Sequence, residues 1–492
     1  MKEATTQLEI NREGTFAILE SFPYTLQEAL SDIIDNSLDA GAKTVLVELN
    51  HEGDEQYVVI KDDGKGISES EFEQVMEIGR RRRYSPQDLG AFGVGLKSAG
   101  LTHARNITIF SKQIGDKMNV RRISVPWMKE TGRWKEMLHS DTNSPVVEKI
   151  SEKGYLPNEQ GTTVLLENLW RFDSMADEGQ SNAVTIMNIL PQIENHLRMT
   201  YHRFLENSDH PRHFSLIFPA SGHDSRLTPL NPMEPHEDDK NYGTLTQIAD
   251  VTIEYEGSEF VVPVSLIVVP HSKRCRDKKF RKELSKTVDG GTAELEGIYI
   301  YRNDRLIAFA RWFGLGLTKT AVGTLRRMTI DIEQKLDSYF GLTPSKTNYR
   351  LPLSFRNKLT ARMSEKRRWS DSDKNKKMFT EKANHRYRTE GSGVGSKRKV
   401  QHPKRNPSKP PNVPTPNPLT KGSGANADIT KEKISPEDQH VDSFVIKEVA
   451  DVEAPLFEIP DSIGNVREIE LNKIHPWYFP LKTALKGWLD DE

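Results

Sequence analysis

Cysteine is almost missing from this chain of 492 residues. Cys275 stands alone, which excludes an internal disulfide framework and a thiolate zinc site. No run of 18 apolar residues occurs, and residues 1–10 (MKEATTQLEI) have neither a basic start nor an apolar stretch, so no membrane span and no secretory signal is expected. That leaves the cytoplasm as the expected compartment in a bacterium, or the nucleus in a eukaryote. Net charge is missing too: 69 Lys+Arg meet 71 Asp+Glu, so the chain as a whole names no partner by sign. Apolar residues (AVILMFWYC) are only 35%, low enough that part of the chain is expected to stay unpacked.

Charge cancels in sum but not in place. Residues 271–286 (HSKRCRDKKFRKELSK) hold eight Lys/Arg against two acids, residues 361–405 fifteen against five, and residues 428–492 seven against fifteen. Residues 390–427 are polar and rich in proline, unable to offset chain entropy by burial, which predicts a disordered linker. Helical spacing over residues 16–40, the strand-like runs TVLVEL, QYVVIKDD, NITIFSK and GTTVLLENL, and a helical stretch over 181–206 predict an α/β sandwich covered on one face. The runs ADVTIEY, EFVVPVSLIVV, GIYIYRNDRLIAFA and RRMTIDI, then a helix from near Leu353, predict a second, smaller α/β domain. The expected division is residues 1–200, 201–374, a basic linker over 375–440, and a small acidic segment over 441–492 with a strand or two and a helix.

Four segments of the first domain together supply what a nucleotide with a metal ion needs. In SDIIDNSLDAGAK, Asp32 and Asn36 are four apart and share a helix face. An amide oxygen at Asn36 suits a Mg²⁺ held otherwise by phosphates and water, and Asp32 suits a base for a water attacking the terminal phosphate. In KDDGKGIS, Asp62 ends a strand, where a carboxylate can take the amine of adenine, and Gly64 and Gly66 allow a tight reversal. In LGAFGVGLKSAGL, Gly90, Gly93 and Gly95 lead into a helix whose N–H groups can meet phosphate oxygens, with Lys97 as a point charge. Gly161 and Thr162 open a strand, where a hydroxyl can reach a base. Singly, each segment also fits a solvated helix face, a β-turn, or a plain loop.

In this order and at these intervals the segments resemble the GHKL ATP-binding family, which includes gyrase B subunits, MutL, the large heat-shock chaperones, histidine kinases and MORC proteins. DNSLDAGA is closest to MutL, while FGVGLKSAG and GIYIYRNDRLI are similar to MORC ATPases and their bacterial relatives. The resemblance implies a Bergerat-type α/β sandwich followed by a transducer-like (S5-like) α/β domain. It implies Asn36 as the Mg²⁺ ligand, Asp62 at the adenine amine, Gly90 to Lys97 as a phosphate lid, and Lys346 (in FGLTPSKTNYR) at the γ-phosphate. It also implies an ATP-dependent homodimer whose N-terminal segment, residues 1–11, reaches across, and DNA as partner of the basic segments. The C-terminal segment, with Trp477, Tyr478, Phe479 and Trp488, is a further candidate for docking a protein partner or packing as a small core.

One departure stands out. The family's general base is normally glutamate where this chain has Asp32, and aspartate is shorter by about 1.5 Å. A misplacement of about 1 Å can cost on the order of 10²-fold in rate. The expectation is a slow ATPase acting as a nucleotide-gated dimerisation switch in a DNA-associated process; the alternative is a nucleotide-sensing scaffold that binds ATP with little hydrolysis and signals to a protein.

Overall fold

The computed structural model describes residues 12–21, 24–50, 56–77, 85–90, 95–133, 138–139, 144–171, 182–219, 225–234, 244–273, 278–287, 291–317, 319–320, 323–342, 349–366, 377–391, 443–449, 457–458 and 466–472. The chain divides into two compact units, Met1–Val400 and Gln401–Glu492.

The local sequence at Thr25 starts the helix that organises the first unit. The Glu28 amide donates to Thr25 Oγ1 at 3.4 Å and the Thr25 amide donates to Glu28 Oε2 at 2.9 Å, a capping box that opens α2 (Leu26–Asp39). Leu26, Leu30, Ile33, Ile34 and Leu38 then face one core. Spacing alone predicts one helical stretch over 16–40. The structure has two helices, α1 (Arg12–Glu20) and α2, and Pro23, which cannot continue a helix, lies in the sequence between them.

Beneath α2 lies a seven-stranded sheet. Its order is β5 (Leu138–His139), β4 (Asn119–Ser124), β3 (Asn106–Lys112), β6 (Gly161–Glu167), β2 (Tyr57–Asp62), β1 (Thr44–Asn50) and β7 (Ser215–Ile217). Every pairing is antiparallel except β1 with β7. Its main core is closed by α1, α2, α4 (Gly95–His103) and α7 (Asn182–Thr200). The opposite face is covered as well: Val147 and Ile150 of α6 (Pro145–Glu152) pack on Tyr57, Val59, Phe110, Val120 and Leu165. This corrects the one-sided sandwich expected from sequence. It explains why β2 and β6 are buried at nearly every position instead of alternately. The core also runs past residue 200. Phe204 of α8 (His202–Glu206), Leu216 of β7 and Leu227 all belong to it.

A second sheet in the same unit has the order β13 (Arg305–Arg311), β12 (Gly297–Arg302), β14 (Arg326–Ile332), β11 (Val264–Val268) and β8 (Leu245–Ile248). EFVVPVSLIVV reads as one run. Pro263, which has no N–H for a ladder, divides it into β10 (Ser258–Val262), paired with β9 (Val251–Tyr255), and β11, paired with β14 and β8. The β12–β13 hairpin turns through Asn303 and Asp304 at φ 47° and 67°, the left-handed pair that matches strand twist in a two-residue turn.

Helices α9 (Lys278–Ser285), α10 (Leu353–Ser364) and α11 (Phe379–Gly391) bury Leu284, Phe355, Leu359, Phe379 and Ala383 in the second core. Helix α11 lies within the stretch read as linker. Its basic composition hides Phe379 and Ala383, four apart and both buried.

In the second unit, β15 (Ser443–Val449) pairs parallel with β17 (Val466–Asn472), and β16 (Phe457–Glu458) pairs antiparallel with β17. The helix expected there, like Trp477 and Trp488, lies outside the described residues. Among the described residues no helix is long and apolar enough to cross a membrane.

Candidate functional site

Helix α2 exposes one residue amid buried neighbours, and it is Asn36. Its Nδ2 donates to the Asp32 carbonyl one turn earlier at 3.0 Å, and the side chain is exposed. The next residue, Ser37, donates its hydroxyl to Asp62 Oδ2 at 2.7 Å. Asp62, at the end of β2, accepts at its other oxygen from the Gly64 amide at 2.9 Å and the Thr162 amide at 3.2 Å. Burial pushes the Asp62 carboxyl up from its ordinary pKa, and the Ser37, Gly64 and Thr162 donors pull partly against it. Thr162 Oγ1 lies 2.9 Å from Ser111 Oγ of β3. Thus α2, β2, β3 and β6 bring Ser37, Asp62, Ser111 and Thr162 into one polar cluster beside Asn36. The neighbouring Asp63 has a different task, accepting from the Lys43 and Thr44 amides at 2.7 and 2.9 Å where β1 begins.

The glycines here serve the protein's own backbone. At Gly66 (φ 73°) a Cβ would run into the Lys112 carbonyl, and at Gly161 (φ 130°) into the Asp62 carbonyl, so only glycine lets these strand ends approach. At Gly64 a Cβ would press on Ala40 and on the Asp62 carboxylate.

Of the residues expected to form a phosphate lid, Gly90, Gly95 and Lys97 are described, and Gly93 lies outside the described residues. Helix α4 begins at Gly95 directly against Asp32: a Cβ there would sit 3.6 Å from Asp32 Oδ2. Lys97 is buried in the first turn of α4, and that burial pushes its pKa down to about 8, with Glu77 opposing the shift. The stem before the lid is clamped from several sides. Asp39 accepts from the Leu89 and Gly90 amides, both at 2.9 Å, and from Arg212 at 2.8 Å. Arg302, at the β12–β13 turn, donates Nη1 to the carbonyls of Asp88 and Leu89 at 3.0 Å each, and forks onto Asp337 with Nε and Nη2 at 2.8 Å. Asn303 donates to the carbonyls of Pro86 at 2.9 Å and Asp88 at 3.2 Å.

Asp32 is 3% exposed and heavily engaged. Tyr24 donates to its Oδ2 at 3.0 Å, and Nη2 of Arg305, the first residue of β13, lies 3.6 Å from its Oδ1. Burial and then Asp32 itself raise the Tyr24 pKa, so the phenol stays protonated as a donor. Glu28, one turn back on the same stripe, is committed to the capping box. Lys346 and the run Arg80 to Arg83 lie outside the described residues.

Sequence reading missed Ser37, Ser111, Asp39, Arg302, Asn303 and Arg305. A signal for the last three is present: Arg302-Asn303-Asp304-Arg305 is more charged than a two-residue hairpin turn requires, with Arg302 and Arg305 both buried.

Residues 24–154 match the family described as histidine kinase-, DNA gyrase B-, and HSP90-like ATPase. Among curated relatives, "Protein MICRORCHIDIA 7" of Arabidopsis thaliana is 22% identical over 186 residues, covering 30% of this chain and 26% of its own length. "ATPase morc-1" of Caenorhabditis elegans is 28% identical over 87 residues, 18% of this chain and 10% of its own. The chain therefore spans about a quarter or less of the relatives it matches.

Proposed function

We propose that residues 24–154 form a GHKL-type ATPase domain, similar to that of MORC proteins, and that the protein binds Mg–ATP, hydrolyses it slowly, and uses the nucleotide to gate its own pairing on DNA. The observation that carries the reading is the run of α2 from Asp32 to Ser37. It brings together a buried carboxylate (Asp32), an exposed carboxamide (Asn36), and a hydroxyl (Ser37) that orients a buried acceptor (Asp62).

The residues fit a magnesium ion. Asn36 offers a neutral, hard oxygen, and among the described residues no three His, Cys, Asp or Glu converge as a protein-only metal cluster. A cation here would draw its remaining ligands from phosphate and water, as Mg²⁺ prefers. When bound, the ion would neutralise charge on the phosphates. Asp62 accepts the adenine amine, with Gly64, Gly66, Gly161 and Thr162 shaping its surroundings. Gly90, Gly93, Gly95 and Lys97 hold the phosphates, and Lys346 reaches the outermost one. Asp32 takes the proton of the attacking water.

Titration calorimetry with ATP and magnesium tests the reading, and its pH dependence tests the place of Lys97. Above pH 8 the uncharged Lys97 amine must take up a proton to meet a phosphate, and the bound anion raises its pKa. Affinity is therefore expected to fall between pH 8 and 9 by up to about tenfold. No heat of binding at any pH would reject the site.

Pairing is supported by α1, which leaves Ile18 63% exposed. Sedimentation is expected to show a doubled mass with a nonhydrolysable ATP analogue and magnesium; equal mass with and without nucleotide would remove the dimer. For DNA, α9 and the turn after it expose Lys278, Lys279, Lys282 and Lys286, able to meet phosphates in a salt-dependent, sequence-independent way. Arg281 is not among them, being buried against Glu234 and the Pro270 carbonyl. The second reading, a scaffold that binds ATP with little hydrolysis, is favoured by the hold of Tyr24 and Arg305 on Asp32. Phosphate release separates the two.

A further inference from the structure

We infer that Ser111 is a specificity-determining residue acting through Thr162. It commits the Thr162 hydroxyl as a donor into the sheet, so that this wall of the site offers only acceptors and selects a purine with an amine at position 6 over one with a carbonyl there. The inference rests on the reading of Asp62 as the acceptor of the adenine amine.

Three neighbouring strands bring one row of side chains together. Thr162 of β6 is paired with Asp62 of β2 on one side and with Ser111 of β3 on the other. Directly opposed residues share a face of the sheet, so the three stand in line on the face where Ser37 of α2 meets Asp62. The register is strict, because a slip of one residue would turn the row to the far side. Thr163 shows what lies there: its hydroxyl donates to the Tyr155 carbonyl at 2.6 Å. Ser111 is fully buried, and Thr162 is 9% exposed.

Counting hydrogens gives the direction of each bond. A hydroxyl has one hydrogen to give and two lone pairs. Ser111 Oγ receives the Ile67 amide at 2.8 Å, a group that can only donate. It gives its single hydrogen to the Gly161 carbonyl at 3.1 Å, a group that can only accept. One lone pair remains, and the Thr162 hydroxyl faces it with Oγ1 2.9 Å away. Thr162 therefore donates to Ser111 and turns lone pairs alone toward the site. Asp62 is an acceptor throughout, its Oδ1 taking the Gly64 and Thr162 amides and its Oδ2 the Ser37 hydroxyl. Its Oδ2 keeps a second lone pair for a ligand. An amine at position 6 supplies the donor this row lacks. A carbonyl there sets its lone pairs against those of Asp62 and Thr162, and a buried acceptor left without a donor is costly. Without Ser111 the Thr162 hydroxyl could rotate and give its hydrogen to that carbonyl. The Ser111 bond to Ile67 also seats the Gly64–Gly66 turn on the end of β3, where a Cβ at Gly66 would strike the Lys112 carbonyl. One side chain thus fixes the turn beside the base and the direction of the Thr162 hydrogen.

The test is titration calorimetry of full-length wild type, Ser111→Ala, Ser111→Thr and Ser111→Cys with ATP, ITP and GTP, each with magnesium. ITP carries the carbonyl at position 6 without the second amine of GTP, and so isolates that group. Wild type is expected to prefer ATP to ITP by on the order of 10²-fold. Ser111→Ala is expected to bind ITP and GTP about tenfold more tightly, with ATP within about threefold, so that the preference falls about tenfold. Ser111→Thr keeps the hydroxyl and should restore it. Ser111→Cys, whose sulfur is a weak acceptor, should lower the preference in the same direction, and it carries the test if the alanine variant does not fold. In a Thr162→Val background Ser111→Ala should leave the preference unmoved, since no hydroxyl remains to be turned. Parallel weakening of all three nucleotides at a constant preference would make Ser111 a backbone tie only, and would overturn the inference. A wild type that binds ITP as tightly as ATP overturns it too, and leaves nucleotide binding standing. A wild type that gives no heat with any of the three overturns the nucleotide reading itself, and this inference with it.

Discussion

Asp32→Asn is expected to lower ATP turnover by about 10²–10⁴-fold, the usual contribution of a positioned base, while ATP affinity changes only a few-fold. The substitution is nearly isosteric and leaves Tyr24 an oxygen to donate to. Arg305 keeps Asp35 at 2.9 Å, so the guanidinium is not stranded. The cluster proposed to hold adenine is built from Ser37, Asp62, Ser111 and Thr162. Phosphate release and calorimetry on the same preparation separate loss of chemistry from loss of binding. Unchanged turnover would place the base elsewhere. Glu28 is a poor replacement because its carboxylate accepts from the Thr25 amide at the helix start.

Arg302→Ala is expected to have the largest effect on stability. Arg302 is 1% exposed, forks onto Asp337, and satisfies two carbonyls of the lid stem. Its removal leaves a carboxylate with 14% side-chain exposure and two stem carbonyls without that donor. Breaking a buried pair from one side costs about 3–5 kcal/mol. The measurement is the urea midpoint of full-length protein. KM for ATP should rise in parallel, because the same side chain tethers Asp88 and Leu89 ahead of Gly90. Arg302→Lys keeps charge but loses the planar fork and should fall between the two. A midpoint within error of wild type would show that the clamp contributes nothing net.

Much of the first sheet was legible because its signals are local. TVLVEL, QYVVIKDD, NITIFSK and GTTVLLENL became β1, β2, β3 and β6, and the helix bearing Asp32 and Asn36 followed from its apolar spacing. What stayed hidden depends on partners far away in sequence. Arg302 meets Leu89 across 213 positions, a distance over which periodicity says nothing. Composition misled at α11, where fifteen basic residues over 361–405 outweighed two buried apolar ones. Ser37 and Ser111 escaped notice because a lone serine in a helix or strand has no pattern of its own; only the carboxylate that Ser37 meets and the hydroxyl opposite Ser111 give them meaning.

Strand β7 has a consequence for how the protein is made. Its partner β1 leaves the ribosome first, and the parallel match Thr44 with Ser215 cannot form until about 170 further residues have been translated. At 5–20 residues per second that is roughly 10–30 s during which the outer edge of β1 is unpaired in the nascent chain. During that interval the exposed edge is open to chaperones or to a neighbouring polypeptide on the same polysome.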